Sequence, residues 1–129
     1  MSLDNQALAF EASPKTFKAF KENLELNNSK NIDCKNLAIN EISGKLITFN
    51  ESLNDWESSA THSNFKNSKI VTVETTTIDK ELLNKNLSNF AVVIKLDIEG
   101  NEFNAIQGGL DSILKYEPLI TIELSKYNL

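Results

Sequence analysis

The amino-acid sequence predicts an α/β fold built on a mostly parallel sheet. Three observations carry this. Short β-branched or apolar runs alternate along the chain with stretches of helical period. Ala91 to Leu96 is a nearly continuous apolar run, interrupted only by Lys95, as expected of a central strand covered on both faces. Acidic residues close several of these runs, where the ligand sites of parallel sheets lie.

Ala7 to Glu11 reads as a first strand, and Ser13-Pro14 as the N-cap and first position of a helix. Phe17, Phe20 and Leu24 recur at three- and four-residue spacing away from Lys15, Lys18 and Lys21, so this helix should turn an aromatic stripe to the core. Ile32, Cys34 and Leu37-Ala38-Ile39 suggest a second strand, and Lys45 to Phe49, after Gly44, a third. Asn50 to Ser68 is rich in Ser and Asn and reads as a long loop holding the lone Trp56 and the lone His62. Ile70 to Thr77 alternates as a strand should, and Asp79 is placed to cap a short helix carrying Leu82 and Leu83. After Leu96, the residues Phe103, Ile106, Leu110, Ile113 and Leu114 make a helical stripe, which Pro118 ends before a strand from Leu119 to Leu124.

Composition narrows the function. The 129 residues fit one domain with one core, and 40% apolar with 24% charged residues is an ordinary globular balance. A net charge of −5 and the lack of any arginine among 13 basic residues argue against a nucleic-acid partner. Cys34 is the single cysteine, so no intrachain disulfide or thiolate zinc set can form, and a reducing, cytoplasmic setting is expected. No apolar run reaches membrane-spanning length. Met1-Ser2-Leu3 reads like an appended start and is set aside.

The strand-end rule singles out Glu11, Asp97, Glu99 and Glu123. Glu11 can accept the two ribose hydroxyls of a nucleoside cofactor, or it can simply face the helix N-terminus that follows it. Asp97 and Glu99 flank Ile98 ahead of Gly100, where the chain turns sharply into a helix. They could serve as a general base, bind a divalent metal together with Glu123, hold a cofactor amino group, or cap the helix from Asn101.

Taken together, Ala9-Phe10-Glu11-Ala12-Ser13-Pro14, Thr77-Ile78-Asp79 and Ile94-Lys95-Leu96-Asp97-Ile98-Glu99-Gly100-Asn101-Glu102 resemble the FkbM-type methyltransferases. That family carries an A-F-E-P-x-P stretch and a K-x-D-[IV]-E-G-x-E stretch in this order. Ser43-Gly44 and Gly108-Gly109 also sit where the family would put them, and the likeness covers nearly the whole chain. It implies a Rossmann-like fold and a methyltransferase dependent on S-adenosylmethionine, acting on a hydroxyl of a sugar or another small metabolite. Glu11 would match the acid that grips the cofactor ribose. Asp97 would match the acid near the methyl group, contributing to cofactor binding and catalysis, with Glu99 beside it as a further catalytic candidate. No metal is implied. Ala12 stands where the family usually has proline.

One family feature is missing from the sequence. Only ten residues precede Glu11 and none is glycine, so the glycine turn that would let the cofactor approach bare backbone has no counterpart there. The expectation is a truncated domain over residues 1–129, incomplete at its first and last strands, with weak cofactor affinity and doubtful activity of its own. A missing first strand would belong between those of Phe10 and Ile94. These two should therefore pair directly or recruit strands from a second copy, giving a homodimer. Two other readings stand beside this one: a non-catalytic α/β interaction module, and a magnesium-dependent hydrolase or phosphotransfer domain using Asp97, Glu99 and Glu123.

Overall fold

A computed structural model of the chain describes residues 5–52, 58–59 and 68–123. The elements run β1 (Ala7–Phe10), α1 (Pro14–Leu26), β2 (Ile32–Lys35), β3 (Ala38–Ile39), β4 (Leu46–Ser52), β5 (Ser58–Ser59), β6 (Ser68–Thr76), α2 (Ile78–Leu82), β7 (Val93–Leu96), α3 (Glu102–Gln107), α4 (Leu110–Tyr116) and β8 (Leu119–Ile122). The mixed α/β composition is as expected, but the strands do not form one parallel sheet. β1 pairs in parallel with β2, β7 in parallel with β8, and a third sheet has the order β3-β6-β4-β5. In that sheet β3 runs parallel to β6, while β4 runs antiparallel to both β6 and β5.

α1 forms where its cap predicts. The Ser13 hydroxyl accepts from the Thr16 N–H at 3.2 Å, and Pro14 supplies a preset φ at the helix start. Its aromatic stripe is only half covered, since no residue of α1 is fully buried. The run from Ile32 to Ile39 is two strands in two different sheets, separated by a bend at Asn36 and Leu37 where Asn36 makes a contact across the fold. Its side-chain N–H₂ donates to the carbonyls of Glu11 and Ala12 at 2.7 and 3.0 Å, tying this bend to the one after β1.

The expected loop from Asn50 to Ser68 begins and ends as strand. Asn50 to Ser52 continue β4, Ser68 opens β6, and the register holds from Leu46↔Glu74 to Ser52↔Ser68. Backbone pairing along a long two-strand ladder outweighs the polar composition of these ends. Trp56 and His62 lie outside the described residues.

Two small cores result. Ala38, Phe49, Val71 and Val73 form one, with Ala12 and Ile47 against it. Ile78, Leu96 and Ala105 form the other, bordered by Ile39, Leu82, Ile94, Ile98, Ile106 and Ile120. The second takes up only part of the expected helical stripe, through Ile106, with Ile113 half-buried. The helix is broken into α3 and α4 at Gly108-Gly109, and the buried face is Ala105, Gly108, Gly109 and Ser112, whereas Phe103 and Leu114 are 73% and 77% exposed. The cause is close approach. A Cβ on Gly108 would collide with the carbonyl oxygen of Asn40, and one on Gly109 would lie 2.9 Å from Cβ of Ile78. Only small residues let the helices reach α2 and the chain after β3.

Asp79 also acts elsewhere than expected. Thr77 caps α2, and the Asp79 carboxylate accepts the backbone N–H groups of Ser112 at 2.7 Å and Asp111 at 3.3 Å, capping α4 instead. The α4 end is as expected, with Glu117 in a left-handed conformation (φ 45°) before Pro118.

β7 is not a strand buried on both faces. Its one partner among the described residues is β8, and Val93 is 63% exposed. Direct pairing of β1 with β7 does not occur. Parallel ladders use alternate residues of a strand. Ala7 and Glu11 donate to Asn31 and Lys35, so the backbone groups of Leu8 and Phe10 point to the other edge. In the same way Leu119 and Glu123 donate to Val92 and Leu96, so those of Val93 and Lys95 point away from β8.

Candidate active site

Each sequence-predicted acid sits at the carboxyl end of a parallel strand, yet their surroundings differ. Glu11 follows β1 directly and is half-buried. Its Oε1 accepts the Ser13 N–H at 2.8 Å, so the helix-facing interaction weighed from sequence is present. Burial pushes the Glu11 carboxyl above its ordinary value. The N–H groups of Ser13 and Ala12 oppose that shift and the nearby Glu51 charge adds to it. A carboxylate in this state has backbone donors on one side and no cation among the groups that set its charge.

Glu51 was hidden in the stretch read as loop. It lies in β4, is only 4% exposed, and accepts through one oxygen from the Ser13 hydroxyl at 2.5 Å and the Lys15 N–H at 3.1 Å. A sequence signal existed. Continuing the inward alternation of Ile47 and Phe49 by two residues puts Glu51 on the buried face.

Asp97 and Glu99 occupy the turn that leaves β7. Both are exposed, and Asp97 forms an ion pair with Lys95 at 2.9 Å. The Lys95 ammonium is held above its usual range chiefly by the hydrogen bond to Asp97, with Asp97 and Glu123 adding charge attraction. Neither Asp97 nor Glu99 caps the following helix, contrary to one of the sequence options. The turn is closed by Glu102, 6% exposed, whose Oε1 accepts from the N–H groups of Ile98 and Gly100, both at 3.2 Å. Glu99 and Gly100 take successive left-handed conformations (φ 49° and 101°), a costly arrangement for a glutamate. Asn101 anchors the turn to the end of β3 by donating to the Ile39 carbonyl at 2.7 Å. So the acids of this motif divide: Glu102 shapes the turn, while Asp97 and Glu99 project from it.

Beside Asp97, Lys95, Thr121, Ile122 and Glu123 line a shallow, open depression of about 310 Å³. Among the described residues no three His, Cys, Asp or Glu side chains converge as a metal set would require. The magnesium reading built on Asp97, Glu99 and Glu123 therefore finds no support in the geometry.

A model of the FkbM methyltransferase domain matches residues 3–128. The chain belongs to the FkbM methyltransferase family. No curated protein and no solved structure matches it. Membership makes this FkbM domain a methyltransferase at the level of the family. All three segments that carried the resemblance, around Glu11, from Thr77 to Asp79 and from Ile94 to Glu102, fall inside the match. No described helix of the FkbM domain is long and apolar enough to cross a membrane.

Proposed function

We propose that this FkbM domain is an S-adenosylmethionine-dependent O-methyltransferase whose acceptor is a sugar or another small hydroxylated metabolite. The observation that carries the proposal is the Glu11 carboxylate, held half-buried at the end of a parallel strand by backbone amides, beside a strand edge with no described neighbour. Such an acid matches the vicinal hydroxyls of a ribose, which can donate two hydrogen bonds to it.

The described residues fit one part of that cofactor. Glu11 would hold the ribose, and Asp97 would lie toward the reacting end. None of the four glycines lies beside Glu11. Gly44 and Gly100 turn the chain elsewhere, and Gly108 and Gly109 are packed against Asn40 and Ile78. The cofactor, when bound, supplies an electrophilic methyl group. The chain's own contribution would be that Glu11 orients the nucleoside and Asp97, kept in place by Lys95, accepts a hydrogen bond or proton from the acceptor hydroxyl. Glu99, set out from the turn by its left-handed backbone, is the second candidate for contact with the acceptor.

Calorimetric titration with S-adenosylmethionine tests this. With the ribose contact supplied but no glycine cradle beside it, the expected dissociation constant is about 1 mM, or roughly −4 kcal/mol. Glu11→Gln should weaken it further. Binding indifferent to Glu11→Gln would remove the basis for the proposal. It would favour the second reading, an interaction module working through the open edges of β1 and β7.

A further inference from the structure

We infer that Glu51 is a positioning residue for Glu11, acting through Ser13. The inference rests on the reading of Glu11 as the ribose-holding acid. A carboxylate buried in a β-strand is costly unless it is matched by donors. Glu51 finds them 36 and 38 residues away in sequence, at the N-terminus of α1.

That helix already has its own cap, since the Ser13 hydroxyl accepts from Thr16. Ending the helix therefore does not require Glu51. The distinct effect of Glu51 is on Ser13 itself. The hydroxyl must give its proton to Glu51 in order to keep its lone pairs for Thr16, which fixes the side chain in one rotamer. Ser13 is 2% exposed, and its backbone N–H is the donor that Glu11 accepts at 2.8 Å. From the other side, Asn36 pins the carbonyls of Glu11 and Ala12. Glu11 is thus aimed by a relay from β4 through Ser13 and by a brace after β2.

Glu51 also brings a second negative charge near Glu11, which adds to the effect of burial in opposing its ionisation. The groups that set the Glu11 charge are then Glu51 from β4 and the Ala12 and Ser13 amides from its own turn. An acid so placed has strong use for uncharged donors such as a diol.

The experiment is a carbon-13 and proton NMR titration of the whole chain, following the Glu11 carboxyl and the Ser13 amide in wild type, Glu51→Gln and Glu51→Ala. In wild type the Ser13 amide shift should follow the Glu11 titration, with a midpoint above 4.5. Glu51→Gln keeps an acceptor for the Ser13 hydroxyl and removes the charge. It should preserve that coupling while lowering the midpoint, since the Glu51 charge opposes ionisation of Glu11. Glu51→Ala should uncouple the Ser13 amide from Glu11. An amide that still follows Glu11 in Glu51→Ala, or a midpoint unchanged in Glu51→Gln, overturns the inference. Should Glu51→Ala fail to fold, Ser13→Ala decides in its place, because it keeps the amide that Glu11 accepts and removes the hydroxyl link to Glu51. Adding S-adenosylhomocysteine at millimolar concentration separates the two readings. A Glu11 carboxyl that does not respond to it sinks the cofactor proposal, while the titration still settles the role of Glu51.

Discussion

Glu81 and Glu11 are both glutamates drawn partly out of water near the start of a helix, and they end in opposite electrostatic states. Burial opposes ionisation of Glu81, but the Lys35 ammonium at 2.6 Å and the Thr76 hydroxyl at 2.8 Å outweigh it and hold the carboxyl below its ordinary range. The Lys35 ammonium is raised in turn, first by that hydrogen bond. Glu11 has backbone amides and the neighbouring Glu51 carboxylate, and it is pushed up. Around Glu81 every polar group closes a structural join between β2, β6 and α2. Around Glu11 an acceptor is held in place with its charge uncompensated by a cation. The first site is a structural join, and the second is the one we propose meets a ligand.

The largest effect that would sharpen this contrast lies on the structural side. Gly108→Ala forces a methyl group into the Asn40 backbone, which cannot swing away as a side chain could. It should destabilise the fold by about 3 kcal/mol in chemical denaturation. Gly44→Ala, at φ 80° with nothing within 4 Å of its added carbon, should cost only about 1 kcal/mol. Equal losses would mean that α3 and α4 do not pack as closely as described.

Glu81→Gln should come next, costing about 1–2 kcal/mol at neutral pH through loss of a charge-assisted bond to Lys35. The sign with pH follows from the lowered carboxyl. The Glu81 contribution is fully present above 4.5, its unfolded value, and is lost as pH falls through its lower folded value. The raised Lys35 keeps its share present below 10.5 and loses it as pH rises through its folded value. Denaturation curves of wild type and Glu81→Gln should therefore converge in acid.

Glu11→Gln should be the smallest effect and of opposite sign, a gain of about 0.5 kcal/mol at neutral pH. A raised carboxyl penalises the folded state once pH exceeds its folded value, and the penalty is absent below 4.5. The gain should fade on acidification. A loss of stability in Glu11→Gln at neutral pH would erase the distinction between the two glutamates.

Local chemistry made much of this readable from sequence. Ser13-Pro14 marked the start of α1, the alternation of Val71 and Val73 marked β6, and Pro118 marked the end of α4. What escaped was chemistry joining distant segments. Asp79 looked like a cap for its own helix and serves α4, 32 and 33 residues on, because Thr77 already fills the nearer role. Of the apolar stripe from Phe103 to Leu114, Ile106 and Ile113 are partly covered, while close approach puts the small residues Ala105, Gly108, Gly109 and Ser112 deepest. Glu51 was overlooked because its neighbours are polar, although its strand phase pointed inward. Of the candidate site, the motif acids were identifiable by position. The aiming roles of Ser13, Asn36 and Glu51 show only in contacts between distant segments, whereas Glu102 acts within its own turn.

Lys35 and Asn36 are adjacent, and they grip different parts of the molecule. The ammonium reaches α2 through Glu81, and the carboxamide reaches the bend carrying Glu11. The end of β2 thus joins α2 on one side to the bend carrying Glu11 on the other, through two adjacent side chains.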